Sequence, residues 1–167
     1  MVYVVFEGID GAGKTTQARL LANKLNAFLF HEPYPNELGN YIKKMIKAPS
    51  VKYEPETMAL MFAAQRMVLK DELLKDKIKN EKWVIGDRSF YSSIVYQHAL
   101  GCDLEWLKEL NKYMIVPDIT IVLDISIETF IKRRGETDII FEKKEFQKKI
   151  RDLYLKLPSL YPDHNIK

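Results

Sequence analysis

Three features of the 167-residue sequence predict an α/β fold of three layers, a mainly parallel central sheet of four or five strands flanked by helices. Short β-branched apolar runs alternate with longer segments whose apolar residues recur at three- and four-residue spacings. The short runs show no polar alternation, the pattern of strands buried on both faces of a parallel sheet. They also end in acids, at Glu7, Asp87 and Asp124. Charge thereby collects at the carboxyl edge of the sheet, where ligands bind in open α/β folds.

The elements follow in order. Residues 2–6 form the first apolar strand, and 14–25 a helix with Ala18, Leu21, Ala22 and Leu25 on one side. Residues 27–31 read as a second strand, then 37–47 and 54–78 as helices. The longer helix carries Ala59, Phe62, Ala63, Arg66 and Leu69 at helical spacing. Residues 83–86 form a third strand, 92–100 and 104–113 two helices, and 119–123 a fourth strand. Helices at 127–134 and 142–157 are separated by the polar link 135–138. This order lays 7–15, 32–36, 87–92 and the stretch after Asp124 along one crevice.

Composition narrows the class. Apolar residues make up 47% and charged residues 29%, the balance of a soluble globular chain. A length of 167 residues fits one domain, 1–167, and neither repeats nor low-complexity linkers divide it. Twenty-six Lys and Arg against 23 Asp and Glu leave +3, too little to argue for nucleic acid but suited to a small anion. No apolar run approaches the ~20 residues of a spanning helix. The N-terminus lacks the basic region and cleavage site of a signal peptide, so a cytoplasmic protein without a membrane partner is expected. Cys102, the single cysteine, forms no internal disulfide and is expected to fill the core.

The segment Gly8-Ile9-Asp10-Gly11-Ala12-Gly13-Lys14-Thr15 fits G-x-x-x-x-G-K-[ST] and lies between a strand and a helix, the context of a phosphate-binding P-loop. Its glycines let successive N–H groups face one anion, and the following helix adds its positive end. Lys14 is expected at the β- and γ-phosphates, Thr15 at Mg²⁺, and Thr16 on the α-phosphate side. A P-loop NTPase fold with a nucleotide as ligand is therefore expected, and the cradle alone does not give the reaction. No N-K-x-D guanine reader occurs, and D-x-x-G occurs only inside the loop itself. Phosphoryl transfer to a small acceptor is the remaining class at this size.

Three further segments narrow the acceptor. The stretch from Phe6 to Gln17, Phe62-Ala-Ala-Gln-Arg66, and Asp87-Arg-Ser-Phe-Tyr-Ser-Ser-Ile-Val-Tyr-Gln97 together resemble thymidylate kinases. Asp124 and the stretch from Arg133 to Glu142 are similar to that family's last core strand and lid. The resemblance implies ATP + dTMP giving ADP + dTDP with Mg²⁺, and a homodimer.

It also assigns roles. Asp10 accepts the sugar 3′-hydroxyl; Phe62 and Arg66, four apart on one helix face, read thymine. Arg88 bridges donor and acceptor phosphates, a task its bidentate fork suits. Asp87 acts with Thr15 on the metal. Ser93 and Gln97 approach the base, and Tyr96 packs where a ribose 2′-hydroxyl would sit. Phe90 and Tyr91 are expected in the core. Gly11 stands where some relatives place an arginine, which implies a catalytic arginine from the lid at about 133–144. Arg134 is favoured but not separable from Arg133, with Lys143 or Lys144 able to share the task.

Two departures keep other readings open. Glu32-Pro33 and Asp87-Arg88-Ser89 also resemble deoxynucleoside kinases, in which the glutamate deprotonates a sugar 5′-hydroxyl. Around 34–36 there is no basic residue for the acceptor phosphate, which leaves that phosphate to Arg88. The chain stops at Lys167, where the family's further strand and helix would begin. A truncated or four-stranded form, or a catalytically silent nucleotide-binding module, is thus a second alternative. His31, His98 and His164 are scattered and expected to be structural.

Overall fold

A computed structural model describes residues 2–48, 52–135 and 143–167. Four parallel strands form one sheet in the order β2-β3-β1-β4: β1 (Val2–Glu7), β2 (Phe28–His31), β3 (Trp83–Asp87) and β4 (Ile119–Val122). The middle strands carry the buried β-branched runs because both of their faces are covered. On β1, Val4 and Phe6 pack with Ala18 and Ala22 of α1 (Lys14–Leu25), while Tyr3 and Val5 face Leu69 and Leu74 on the opposite side. The two-residue period of one strand thus joins two helical layers.

Local signals set most boundaries. The helix α2 (Glu37–Ile46) starts where the Asn36 side chain accepts from the Gly39 N–H at 2.9 Å. A Cβ on Gly39 would stand 1.8 Å from the Tyr34 carbonyl oxygen, so glycine is required there. Ser89 caps α5 (Phe90–Ala99), which begins two residues earlier than the periodicity predicts. Asp103 caps α6 (Leu104–Leu110), and Ser126 caps α7 (Ile127–Arg134).

The predicted single helix at 54–78 is interrupted. It runs as α3 (Pro55–Leu69), a π-helical turn (Lys70–Leu74) and α4 (Lys75–Asn80). The turn seats Leu69 and Leu74, five apart, in one cluster with Tyr3, Val5 and Val84. The last helix, α8 (Lys144–Leu160), passes through Pro158 and extends past the predicted end at 157. Most of the expected lid, 136–142, lies outside the described residues.

Beyond α8 the chain returns to the sheet. Thr120 N–H donates to Asn165 O at 2.9 Å and Val122 N–H to Lys167 O at 2.8 Å, so 165–167 lies along β4 as the four-stranded sheet's further neighbour. Phe90, Tyr91 and Cys102 are buried in the largest apolar cluster, as expected.

Candidate active site

The parallel strands end on one edge of the sheet, where the ends of β1, β2 and β3 open on one crevice. The stretch after β4, expected there too, lines neither of its cavities, and Asp124 pairs with Arg151. The loop after β1 turns sharply at the crevice, with Gly8, Gly11 and Gly13 at φ of 135°, 72° and 96°. A Cβ on Gly8 would meet the Leu123 carbonyl oxygen at 2.4 Å, so the backbone passes β4 only as glycine. Ile9 and Ala12 turn their side chains into the core and offer only main chain to the crevice. Lys14 heads α1, buried, its ammonium donating to Ile9 O at 2.7 Å. Burial, reinforced by the Arg88 charge, lowers its pKa to about 7. Thr15 Oγ1 donates to Asp87 Oδ2 at 2.5 Å. Two oxygen ligands, Thr15 from the start of α1 and Asp87 from the end of β3, meet at the loop, a set suited to a hard divalent cation that also binds phosphate and water.

Two cavities meet in the crevice. One, of about 570 Å³, is lined by the loop, His31, Asp87 and Arg133. The other, of about 270 Å³, is lined by Pro33, Lys43, Phe62, Ser93, Tyr96 and Gln97 among others. Asp10, Glu32, Arg88 and Arg134 border both. A molecule in each cavity would meet across those four side chains.

Arg88 is the hinge of this junction. It follows β3 in the left-handed region at φ 73°, rare for a residue with a side chain, and its N–H donates to Phe6 O at 3.0 Å. Its guanidinium pairs with Asp10, donates to Ser92 Oγ at 3.1 Å and lies 5.2 Å from the centre of the Tyr96 ring. Asp10 is held in turn by Gln147 of α8, whose Oε1 accepts the Asp10 N–H at 3.1 Å.

In the smaller cavity Arg66 and Phe62 reverse the ordinary core-aromatic, surface-arginine arrangement. Arg66 is buried and Phe62 half-buried. Arg66 donates through Nε to Glu32 at 2.7 Å, and through its terminal nitrogens to Asn111 Oδ1 at 3.1 Å and Ser93 Oγ at 3.2 Å. Burial pushes the Glu32 carboxyl up, while Arg66 draws it back down. The Gln97 amide oxygen is buried with no protein partner.

Three features of the crevice escape a reading of the sequence. Lys43 and Lys47, four apart at the end of α2, line the smaller cavity together with Arg88 and supply the cations that 34–36 lacks. Their i,i+4 spacing was legible, but not the direction of the helix. His31, expected to be structural, lines the larger cavity, with its Nε2 2.9 Å from Lys43 Nζ. The third is Glu7, wholly buried at the end of β1 and bonded to Ser89, Ser92 and Tyr154. Over Gly11, Arg133 donates to the glycine carbonyl at 2.7 Å, and a Cβ on Gly11 would stand 3.4 Å from Arg134 Cγ. Lys143 and Lys144 line neither cavity.

Comparison with known proteins places this crevice in a family. The thymidylate kinase family model matches residues 6–166. A probable thymidylate kinase of Methanocaldococcus jannaschii is 43% identical over 160 residues, which cover 96% of this chain and 83% of the relative. One from Thermococcus onnurineus is 40% identical over 180 residues, covering 99% and 88%. Among solved structures, thymidylate kinase from Candida albicans aligns with a TM-score of 0.87 at 27% identity, over 99% of this chain and 82% of that one. The Ehrlichia chaffeensis enzyme aligns at 0.79 and 29%, over 99% and 90%.

Proposed function

The chain belongs to the thymidylate kinase family, ATP-dependent nucleoside-monophosphate kinases, and from that premise we propose how its crevice transfers the ATP γ-phosphoryl group to dTMP. The observation that carries the reading is the pair of cavities sharing Asp10, Glu32, Arg88 and Arg134. The triphosphate of ATP lies in the larger cavity against the 8–16 loop, with Lys14 at its β- and γ-phosphates. The dTMP lies in the smaller one, its phosphate at the junction.

Thymine stacks on Phe62, with Arg66 and Ser93 at its edge. Gln97 offers its unpartnered amide oxygen to the ring N–H. Glu32 holds Arg66 in place. Asp10 receives the 3′-hydroxyl and Tyr96 closes the space a 2′-hydroxyl would need. Lys43 and Lys47 face the acceptor phosphate from α2.

The acceptor is largely dianionic at neutral pH, so its oxygen needs no general base. The task is to bring two polyanions together and stabilise the charge that spreads over the moving phosphoryl group. Arg88 spans the junction, and Arg133 and Arg134 approach from over Gly11. Thr15 and Asp87 would hold Mg²⁺, which neutralises phosphate charge when bound.

A coupled assay with ATP and Mg²⁺ against dTMP, dUMP, ribo-TMP and thymidine tests the reading. The expected result is turnover of dTMP well above ribo-TMP and none of thymidine. Turnover of thymidine alone would make the protein a deoxynucleoside kinase, and ATP binding with no turnover a silent module.

Assembly and location belong to the same reading. Leu60 and Val68 stand exposed on α3, and a homodimer through that face is proposed, to be measured by sedimentation. No helix among the described residues is long and apolar enough to cross a membrane, and the nucleotide substrates fit a cytoplasmic enzyme without nucleic-acid partners.

A further inference from the structure

Below Arg88 lies a polar cluster centred on Glu7, of which Ser92 alone borders the smaller cavity. Glu7 ends β1 with none of its surface exposed, and both carboxylate oxygens are in use. Oε1 accepts from the Ser89 N–H at 2.7 Å and from the Ser89 hydroxyl at 2.8 Å. Oε2 accepts from the Ser92 hydroxyl at 2.7 Å and the Tyr154 hydroxyl at 2.9 Å. Those same two hydroxyl oxygens accept from Arg88 Nη1, at 3.1 Å and 3.4 Å.

The directions of these bonds matter. A hydroxyl has one proton and two lone pairs. With their protons committed to Glu7, Ser92 and Tyr154 can only present lone pairs to Arg88. Burial and then the Glu7 carboxylate hold the Tyr154 phenol well above its ordinary pKa, so it stays a donor to Glu7. Oε1 meanwhile fixes Ser89, the residue after the left-handed Arg88 backbone. One buried carboxylate therefore restrains both the backbone and the guanidinium of Arg88.

Tyr154 comes from α8, the helix that follows the lid sequence, and its ring is 2% exposed. On the same helix Gln147 is bonded to Asp10, the ion-pair partner of Arg88. The helix grips the Asp10–Arg88 pair from both ends. We propose that Tyr154, oriented by Glu7, is a positioning residue that holds the Arg88 guanidinium in the plane required at the junction of the two cavities. The kinetic part of this inference rests on the thymidylate kinase reading above; the geometric part does not.

Tyr154→Phe removes the hydroxyl and keeps the ring in the core. The expected result is a fall in kcat with dTMP of about tenfold, with KM for ATP and the melting temperature close to wild type. In an Arg88→Lys background, whose ammonium lacks the planar donor pair, the same change should have no further effect on kcat. In ¹⁵N-labelled protein the Arg88 Nε–Hε signal, assigned by its loss in Arg88→Lys, should lose order in Tyr154→Phe and in Glu7→Gln. If Tyr154→Phe does not fold, Ser92→Ala serves the same measurements. An Arg88 signal as ordered as wild type, or a kcat loss undiminished in the Arg88→Lys background, overturns the proposal. The signal is read without turnover, so a wild type inactive on dTMP would sink the substrate assignment while the spectrum still decides the positioning role.

Discussion

Asp10 and Arg88, 78 positions apart, form an ion pair at the mouth shared by the two cavities. Each neutralises the other, so neither charge is left without compensation in a half-buried setting. Nucleotide binding can then redirect both, Arg88 toward phosphate and Asp10 toward the sugar. Replacing Arg88 with Ala is expected to lower kcat about 10²–10³-fold, the cost of removing one preorganised charge donor. ATP affinity, measured by equilibrium titration, should change far less. Equal losses in both would remove Arg88 from the transfer step.

For Asp10, the expected signature is sugar discrimination. Wild type should prefer dTMP to its 3′-deoxy analogue by about tenfold in kcat/KM, the worth of one charge-assisted hydrogen bond. Asp10→Asn should erase most of that preference. A preference retained in full would assign the 3′-hydroxyl to another residue.

Lys14 makes ATP binding pH-dependent. Burial and the Arg88 charge lower its pKa to about 7, and triphosphate charge must raise it again on binding. Above about pH 7 the ammonium is already neutral in the free protein, so binding ATP takes up a proton. Linkage then requires affinity to fall as pH rises, with a limiting slope of about tenfold per unit until the bound-state pKa is passed. Below about pH 6 Lys14 contributes no slope. Calorimetry in buffers of different ionisation enthalpy measures the proton uptake directly. A Lys14→Met protein should lose it.

Lys43 and Lys47 should matter to the acceptor only. Either lysine changed to Ala is expected to raise KM for dTMP by about five- to tenfold, one charge-assisted contact, with KM for ATP unchanged. Binding of thymidine, which lacks the phosphate, should be unaffected by the change. If thymidine weakens equally, the lysines shape the pocket rather than hold phosphate.

Glu32 and Arg66 form a buried pair at 2.7 Å, and stability tests it. Glu32→Ala strands the guanidinium and should cost about 3–5 kcal/mol in denaturant unfolding. Glu32→Gln keeps an oxygen for Arg66 and should cost less. It should also retain most dTMP turnover, whereas a glutamate acting as general base would lose it.

Much of this is legible in the sequence. The 8–16 loop is readable because its chemistry is local: glycines, lysine and threonine act within nine consecutive positions. Asp87, Arg88, Ser93, Tyr96 and Gln97 are likewise local to one strand end and one helix. Boundaries failed where a cap or a turn outweighed periodicity, as at Ser89 and in the π-helical turn at Lys70–Leu74. The direction of α2, which brings Lys43 and Lys47 to the acceptor cavity, follows from the turn at Tyr34–Gly39 and not from the helix's own pattern.

By itself the sequence determined a parallel α/β sheet with a crevice at its carboxyl edge, a phosphate loop, and an aromatic-arginine pair on one helix. Periodicity and short motifs carry those because each depends on neighbours within a few turns. Only the tertiary structure decided which distant groups share a charge. Tyr154 reaches Glu7 across 147 positions and Gln147 reaches Asp10 across 137. Those contacts exist because α8 packs through Ile150, Tyr154 and Leu157 into the main core, and no local pattern records where a helix will dock.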